Sequence, residues 1–175
     1  MKGVAIISHG LQSSAAATKA TALSKVGEAL GWHCIRPDYQ DLDQSQAHAP
    51  LGDVAARIAR LEALAREHAG APLVLAGSSM GAFVSARASL VVPVRGLYLM
   101  ALPAKLEGRP IPLAAAPVPT WILHGWDDEL IPADEVVRWA APRRDRLLLV
   151  NDSHRLADHV QFAAADFGRF LLSLG

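Results

Sequence analysis

Gly77-Ser78-Ser79-Met80-Gly81 is a G-x-S-x-G motif that joins the apolar run Pro72-Leu73-Val74-Leu75-Ala76 to a helix-compatible stretch from Ala82 to Leu90. A motif at such a junction predicts a sharp strand-to-helix turn that projects the hydroxyl of Ser79 above a sheet. The flanking glycines fit the turn, because a Cβ at either position would clash where the strand and helix backbones approach. The context predicts a catalytic nucleophile, whereas a serine between two glycines alone would indicate only a turn.

Two polar segments follow the serine in the order acid, then histidine. They are His124-Gly125-Trp126-Asp127-Asp128-Glu129-Leu130-Ile131-Pro132 and Ser153-His154-Arg155-Leu156. A serine hydroxyl is a weak nucleophile at neutral pH and needs a neighbouring base, for which an imidazole that titrates near neutrality is suited. A carboxylate on the far ring nitrogen would fix the tautomer of that imidazole. The chain therefore carries the residue types of a serine-hydrolase triad.

These segments resemble motifs of the α/β-hydrolase superfamily, in which the triad residues follow the same chain order. The segment from His124 resembles the H-G-x-x-D-x-x-V/I-P signature that carries the acid, and the segment around His154 resembles the loop that presents the histidine. Ser8-His9-Gly10-Leu11-Gln12-Ser13-Ser14 is similar to the H-G-x oxyanion loop of small esterases in this superfamily. Nearly the whole chain thus resembles a small, lidless bacterial-type serine esterase.

The resemblance implies a role for each residue of the site. Asp128 would be the acid, His154 the base and Ser79 the nucleophile. The backbone N–H groups of Leu11 and Met80 would form the oxyanion hole that meets charge on the substrate oxygen.

The acid has two other candidates. Asp127 is the direct rival of Asp128, since either carboxylate could brace the turn before Pro132, and only the spacing from His124-Gly125 favours Asp128. Asp152 lies two residues before His154, too close in sequence to orient the same imidazole in this architecture, so we expect it to serve the turn.

The remaining histidines fall into two groups. His9 and His124 belong to His-Gly pairs at predicted strand ends, where we expect them to hydrogen-bond loops around the site. We expect the others to be solvated or packed: His33, His48, His68 and His159.

Short apolar runs alternate with helical patterns along the chain, which predicts a doubly wound α/β fold with a mostly parallel sheet of about six strands flanked by helices. The ligand site of such a sheet lies at the carboxyl ends of its strands. The predicted strands are Gly3 to Ser8, Trp32 to Arg36, Leu73 to Gly77, Arg95 to Met100, Thr120 to His124 and Arg146 to Val150. The predicted helices are Ser14 to Leu30, Gly52 to His68, Ala82 to Leu90, Pro132 to Ala140 and Arg155 to Leu174. The Pro- and Ala-rich stretch Leu102 to Pro119 is expected to cross the surface, and it is too short for the lid domain of larger relatives.

Length and composition indicate a single domain over residues 1–175, because 51% hydrophobic residues in a chain of 175 suffice for a sizeable core. The 17 basic and 17 acidic residues balance without a basic run, so we expect no nucleic-acid partner. No signal peptide or membrane span is evident, and we expect a cytoplasmic protein with no membrane partner.

The single cysteine of the chain, Cys34, is expected to be a small buried hydrophobe. No histidine or cysteine spacing suggests a metal site, and no cofactor is expected.

The residues and the resemblance together predict hydrolysis of small carboxylic esters, short-chain or activated, through an acyl-enzyme. A thioesterase or an amidase would use the same triad and oxyanion hole. An acyltransferase or perhydrolase would need an acceptor other than water. A noncatalytic binding module is a further alternative, since fold does not fix function. Trp126 adjoins the acid in sequence. It could form a wall of the substrate pocket or simply pack against its neighbours.

Overall fold

One sheet of six strands organises the protein, and every neighbouring pair of strands in it is parallel. A computed structural model describes residues 1–175. The strand order is β2-β1-β3-β4-β5-β6. The strands are β1 (Val4–Ser8), β2 (His33–Ile35), β3 (Leu73–Ser78), β4 (Gly96–Met100), β5 (Thr120–Gly125) and β6 (Arg146–Val150). The α/β fold class is confirmed, and the predicted strand ends differ from the observed ones by at most one residue.

Six helices cover the two faces of this sheet. They are α1 (Thr18–Ala29), α2 (Gln40–Asp43), α3 (Val54–Glu67), α4 (Met80–Ala88), α5 (Ala133–Arg143) and α6 (Val160–Ser173). On one face, α1 and α6 bury Leu23, Phe167 and Phe170 against the sheet. On the other face, α3, α4 and α5 bury Leu61, Phe83 and Val136. The two apolar layers explain why the strands read as continuous hydrophobic runs.

The helix ends depart from the sequence-based predictions where polar contacts intervene. The first helix begins at Thr18 and not at Ser14, because the N–H groups of Ala15 and Ala16 bond to the side chains of Asp38 and Ser14. The last predicted helix is interrupted near its start. Leu156 adopts a positive φ of 52° there, and a 3₁₀ turn (Ala157–His159) precedes α6.

Three further helix predictions need adjustment. The predicted helix from Gly52 is observed as α3, which begins at Val54 after the side chain of Asp53 caps the N–H of Ala56. Helix α4 begins at Met80, directly after the serine. Helix α5 ends at Arg143, three residues later than predicted. Neither α2 nor the 3₁₀ turn Gln46–His48 was predicted, because both are short and lack apolar periodicity.

The stretch from Leu102 to Pro119 crosses the surface as predicted, but it is anchored in the core at several points. Leu102 and Leu106 are buried in the layer formed by α3 and α4. The guanidinium of Arg109 donates to the carbonyl groups of His48 and Gly52, and Arg87 donates to that of Pro112. The segment is thus fastened to the α3 and α4 side of the sheet.

Cys34 lies on β2 and is only half-buried, so the prediction of a small buried hydrophobe was wrong in the extent of burial. The reason is that β2 is an edge strand with one neighbour, β1. Partial burial nevertheless raises the pKa of the Cys34 thiol to about 11, which keeps it protonated and unreactive at neutral pH. None of the helices is both long and apolar enough to span a lipid bilayer.

Candidate active site

Ser79 occupies a strained turn between β3 and α4. Its φ of 54° and ψ of −120° lie in a region that non-glycine residues rarely adopt. The N–H of Ser79 donates to the carbonyl of Met100 at 2.9 Å, which ties the turn to the end of β4. A side chain held in this conformation projects from the carboxyl edge of the sheet.

The two glycines of the motif are required by close backbone approach. A Cβ on Gly77 would lie 2.3 Å from the carbonyl carbon and oxygen of Gly81, inside the turn itself. A Cβ on Gly81 would lie 2.0 Å from the carbonyl oxygen of Ser8, at the end of β1. Gly77 therefore permits the strand-to-helix approach that the sequence predicted. Gly81 in addition lets the turn pack against the loop that follows β1.

Ser79, His154 and Asp128 are joined by an unbroken chain of hydrogen bonds. The Oγ of Ser79 lies 2.9 Å from Nε2 of His154, and Nδ1 of His154 lies 2.8 Å from Oδ2 of Asp128. These residues follow β3, β6 and β5, so three strand ends contribute one side chain each. Asp127 is exposed and makes no such contact, and the structure thus brings together the three residues singled out from sequence.

The carboxyl of Asp128 is held in its charged form by its surroundings. Burial acts to raise the pKa of Asp128, but hydrogen bonds from His154 and from the N–H groups of Ile131 and Leu130 outweigh it. The net result is a pKa below the ordinary value. Both backbone bonds reach Oδ1, at 2.8 and 2.9 Å, while Oδ2 lies 2.8 Å from Nδ1 of His154 and 3.4 Å from Nε2 of His124. A charged Oδ2 favours the proton on Nδ1 and leaves Nε2 free to accept the proton of Ser79.

The loop that carries His154 packs on the loop that carries Asp128. A Cβ on Gly125 would lie 2.3 Å from the carbonyl oxygen of Asp152, so only glycine permits this approach. The carboxylate of Glu129 accepts the N–H of His154 at 3.2 Å. The His-Gly pair of the acid segment thus has a structural purpose, which is to let the two loops meet.

Asp152 organises the histidine loop, in agreement with the turn role expected for it. Its carboxylate accepts the N–H groups of Ser153 and Asp158 and lies 2.8 Å from Nδ1 of His159. Burial acts to raise the pKa of Asp152, but these hydrogen bonds lower it overall. His159, expected to be solvated or packed, thus has a carboxylate partner that sequence reasoning did not identify.

The two predicted oxyanion donors border the serine. Met80 is the first residue of α4, whose N–H has no acceptor within the helix. A Cβ on Gly10 would lie 3.6 Å from Cβ of Ser79, which brings the chain just before Leu11 beside the serine. Neither the N–H of Leu11 nor that of Met80 donates to a backbone carbonyl. Neither N–H has a hydrogen-bond acceptor in the protein, so the oxyanion role of both groups stays a prediction.

His9 and His124 are buried and hydrogen-bonded to the loops around the site. Nδ1 of His9 donates to the carbonyl of Gly10, and its Nε2 accepts the N–H of Tyr39 at 2.9 Å. Nε2 of His124 donates to the carbonyl of Ile131 at 2.9 Å. Burial lowers the pKa of each imidazole below its ordinary value of 6.5, so both are neutral at pH 7.

Sequence reasoning missed an ion pair beneath the oxyanion loop. Arg57, on α3, is fully buried and forms a two-point contact with Asp43 at 2.7 and 2.6 Å. Arg57 shares the core-facing stripe of α3 with Val54, Leu61 and Ala65. A charged residue in an apolar stripe is a signal that the sequence offers, but nothing local identifies Asp43 as its partner.

Two other features bear on what the site could bind. Trp126 is 61% exposed and Leu130 is 68% exposed, so neither packs into the core. Each lies two residues from Asp128 in sequence, so two exposed apolar side chains belong to the acid loop. No group of three or more histidine, cysteine, aspartate or glutamate residues is arranged to hold a metal ion. A cleft of about 390 Å³ lined by Pro117 to Trp121 and Arg143 to Arg146 lies at the amino ends of β5 and β6, away from Ser79.

No protein-family model and no curated protein matches the chain. The structure is similar to that of a protein from Xanthomonas campestris pv. campestris described as a hydrolase of the alpha/beta superfamily. The TM-score is 0.95 at 49% identity, over 98% of this chain and 99% of that one.

Two more distant structures share the fold. Alpha/beta hydrolase domain-containing protein 10 from mouse has a TM-score of 0.79 at 20% identity, over 100% of this chain and 93% of that chain. The esterase Pf2001 of Pyrococcus furiosus has a TM-score of 0.78 at 18% identity, over 99% and 84%. Since the Xanthomonas protein matches at nearly full length and almost half of the aligned residues are identical, this chain belongs to the α/β-hydrolase superfamily.

Proposed function

We propose that this protein is a serine hydrolase that cleaves carboxylic esters of small molecules through an acyl-enzyme. The observation that carries the proposal is the hydrogen-bonded chain from Ser79 through His154 to Asp128, with bonds of 2.9 and 2.8 Å. A bonded nucleophile, base and orienting acid are the geometric test for such a triad. Membership of the superfamily supports the same reaction class.

In the first step, Ser79 Oγ attacks the ester carbonyl while Nε2 of His154 takes its proton. Asp128 stabilises the imidazolium that forms and does not itself take up the proton. Negative charge develops on the carbonyl oxygen, where the N–H groups of Leu11 and Met80 would donate to it. Donors fixed in advance stabilise this charge without reorganising, and each contributes about 3 kcal/mol to the lowering of the barrier.

The tetrahedral intermediate then collapses and the bond to the leaving group breaks. His154 gives the proton on Nε2 to the departing alkoxide, which leaves as an alcohol. Ser79 then carries the acyl group. Water enters, gives a proton to the same nitrogen and attacks the acyl carbon. The second collapse returns that proton to Ser79 Oγ and releases the carboxylic acid. Neither the acylation nor the deacylation of Ser79 needs a cofactor.

Esters of short acyl chains are the proposed substrates. The stretch from Leu102 to Pro119, which is too short for a lid domain, is fastened to the α3 and α4 side. Little apolar surface is therefore available to cover a long acyl chain. The exposed side chains of Trp126 and Leu130 offer a small apolar contact beside the acid.

The test combines active-site labelling with turnover. The protein would be treated with a fluorophosphonate and its intact mass measured, while hydrolysis of 4-nitrophenyl acetate, butyrate and palmitate is followed in parallel. Ser79→Ala should lose both the adduct and the turnover. Ser78→Ala is the matched control, because it removes the neighbouring hydroxyl and leaves the triad intact; it should keep both.

Three outcomes would change the proposal. A folded wild-type protein with neither adduct nor turnover would favour a noncatalytic binding module. Faster cleavage of the palmitate than of the acetate would overturn the short-chain preference. Preferential cleavage of a matched thioester or amide would retain the triad but reassign the substrate class.

A further inference from the structure

The buried pair of Arg57 and Asp43 lies beneath the loop that follows β1. The side chain of Arg57 is fully buried, and its guanidinium lies 4.5 Å from the centre of the Tyr39 ring. Tyr39 in turn hydrogen-bonds through its hydroxyl to Ser8 at 2.9 Å. Burying two charges carries a large desolvation cost that their attraction does not always recover. Besides each other, Arg57 and Asp43 contact the backbone of this loop.

The pair holds three successive peptide groups of this loop. Nη1 of Arg57 donates to the carbonyl of His9 at 2.9 Å, and Nη2 donates to the carbonyl of Gly10 at 3.1 Å. Oδ2 of Asp43 accepts the N–H of Gln12 at 3.1 Å. The planes of the peptides after His9, Gly10 and Leu11 are thereby each fixed by one charged hydrogen bond.

The middle peptide is the one that matters for catalysis. The carbonyl of Gly10 and the N–H of Leu11 belong to the same planar unit, and in a trans peptide they point in opposite directions. Since the carbonyl is drawn towards Arg57, the N–H of Leu11 is turned away from it. Gly10 itself lies against Ser79, with a built Cβ only 3.6 Å from Cβ of the serine.

We propose that Arg57 and Asp43 are positioning residues that orient and polarise the Leu11 N–H as an oxyanion donor. This inference rests on the proposed function. The carbonyl of Gly10 accepts two further hydrogen bonds, from Nδ1 of His9 at 2.7 Å and from the N–H of Ser13 at 3.3 Å. A carbonyl bonded to a cation makes the N–H of the same peptide a stronger donor, because hydrogen bonds in a chain polarise one another. The pair therefore acts on both the direction and the strength of the donor.

The test compares an oxygen ester with its thiono counterpart, 4-nitrophenyl acetate with O-4-nitrophenyl thionoacetate. Sulfur in place of the carbonyl oxygen is a weaker hydrogen-bond acceptor, so the ratio of the two kcat/KM values reports on the oxyanion hole. The ratio is independent of how much protein is folded, because unfolded molecules drop out of both values. Arg57→Lys keeps the charge but loses the two-pronged contact, and Asp43→Asn removes the charge of its partner.

We expect the oxygen-to-thiono ratio to fall about tenfold in both variants, less than the roughly hundredfold loss from deleting a donor. Arg146→Lys is the matched control. Arg146 makes the same kind of two-pronged contact with buried Asp166, at 3.0 Å for each bond, but at the amino end of β6. Its ratio should equal that of the wild type.

Equal losses for the two esters in Arg57→Lys and Asp43→Asn would overturn the inference and leave the pair a purely structural role. A fall in the ratio of Arg146→Lys would do the same, since the change would then not be specific to the loop. If the wild type itself shows no turnover that depends on Ser79, the proposed function fails first, and the inference with it.

Discussion

The two halves of the proposed site are held in place by different means. In the triad half, Asp128 bonds to N–H groups two and three residues away and to His154, which comes from the next strand end. In the oxyanion half, the loop of residues 8–12 bonds to Tyr39, Asp43 and Arg57, which lie 30 to 48 positions along the chain. The acid is therefore braced by N–H groups of its own motif, although the bonds that join the triad link residues 26 and 75 positions apart. The oxyanion loop is supported by contacts that only the fold creates.

This difference matches what each half must do. In the proposed mechanism, His154 accepts a proton and returns it, and its side chain is 13% exposed. An oxyanion donor contributes most when it needs no reorganisation as charge develops. A fully buried guanidinium that fixes the donor's peptide plane meets that requirement. We infer that rigidity in this site is concentrated beneath the β1 loop.

The largest expected effect comes from breaking the triad half. His154→Ala should lower kcat for 4-nitrophenyl acetate by about a millionfold, because the serine loses its base. Ser79→Ala combined with it should be hardly worse, since triad members act as a unit. Steady-state kinetics, with enzyme concentrations taken from absorbance, would measure both. Losses that multiply in the double variant would contradict a single shared mechanism.

The acid tests the same half with a finer change. Asp128→Asn should lower kcat about ten-thousandfold, because an amide at this position favours the wrong tautomer of His154. Asp127→Asn is the matched control, one residue away and exposed, and it should change little. Circular dichroism would verify that both variants fold. The reverse ranking of the two variants would move the acid to Asp127.

The contrast between the halves also explains what the sequence could and could not predict. Hydrophobic runs predicted all six strands, since burial on both faces leaves a continuous apolar signature. Ser79, Asp128 and His154 were found because each lies in a motif of a few residues. The role of Arg57 could not be found in this way, because its partners Asp43, His9 and Gly10 lie 14 to 48 positions away and only folding brings them to it. The start of α1 was missed for a similar reason, since the carboxylate of Asp38 captures the N–H of Ala15.

The buried pair of Arg57 and Asp43 should also contribute to the stability of the protein. Arg57→Met leaves the carboxylate of Asp43 buried without its partner, and we expect it to lower the free energy of unfolding by about 3–5 kcal/mol. Arg60→Met is the matched control on the same helix, because Arg60 pairs with the exposed carboxylate of Asp41 at 2.7 Å. Exposed pairs are screened by solvent, so this loss should be much smaller. Urea unfolding of both variants would measure the difference. Similar losses in free energy of unfolding would show that the buried pair stabilises the fold no more than the exposed pair does.

The smallest expected effect concerns pH and the two buried histidines. Burial lowers the pKa of His9 and of His124 below 6.5 in the folded protein, although Asp38 and Asp43 near His9 and Asp128 near His124 act in the opposite direction. As the pH falls below about 6.5, the unfolded chain therefore takes up protons that the folded protein does not, and unfolding becomes more favourable. The stability should thus decline between pH 7.5 and pH 5.

His124→Gln offers a check on this decline, because a glutamine side chain offers an N–H to the carbonyl of Ile131 without a titrating group. Its free energy of unfolding should depend less on pH over the same interval, while that of the wild type follows both histidines. At lower pH, Asp128 and Asp152 add to the loss, since their pKa values in the folded protein lie below the ordinary 3.8. Urea unfolding at stepped pH would measure both curves. An identical slope in the variant would mean that His124 does not bind its proton differently in the folded and unfolded states, and the acid sensitivity would then have to come from the β1 side, through His9.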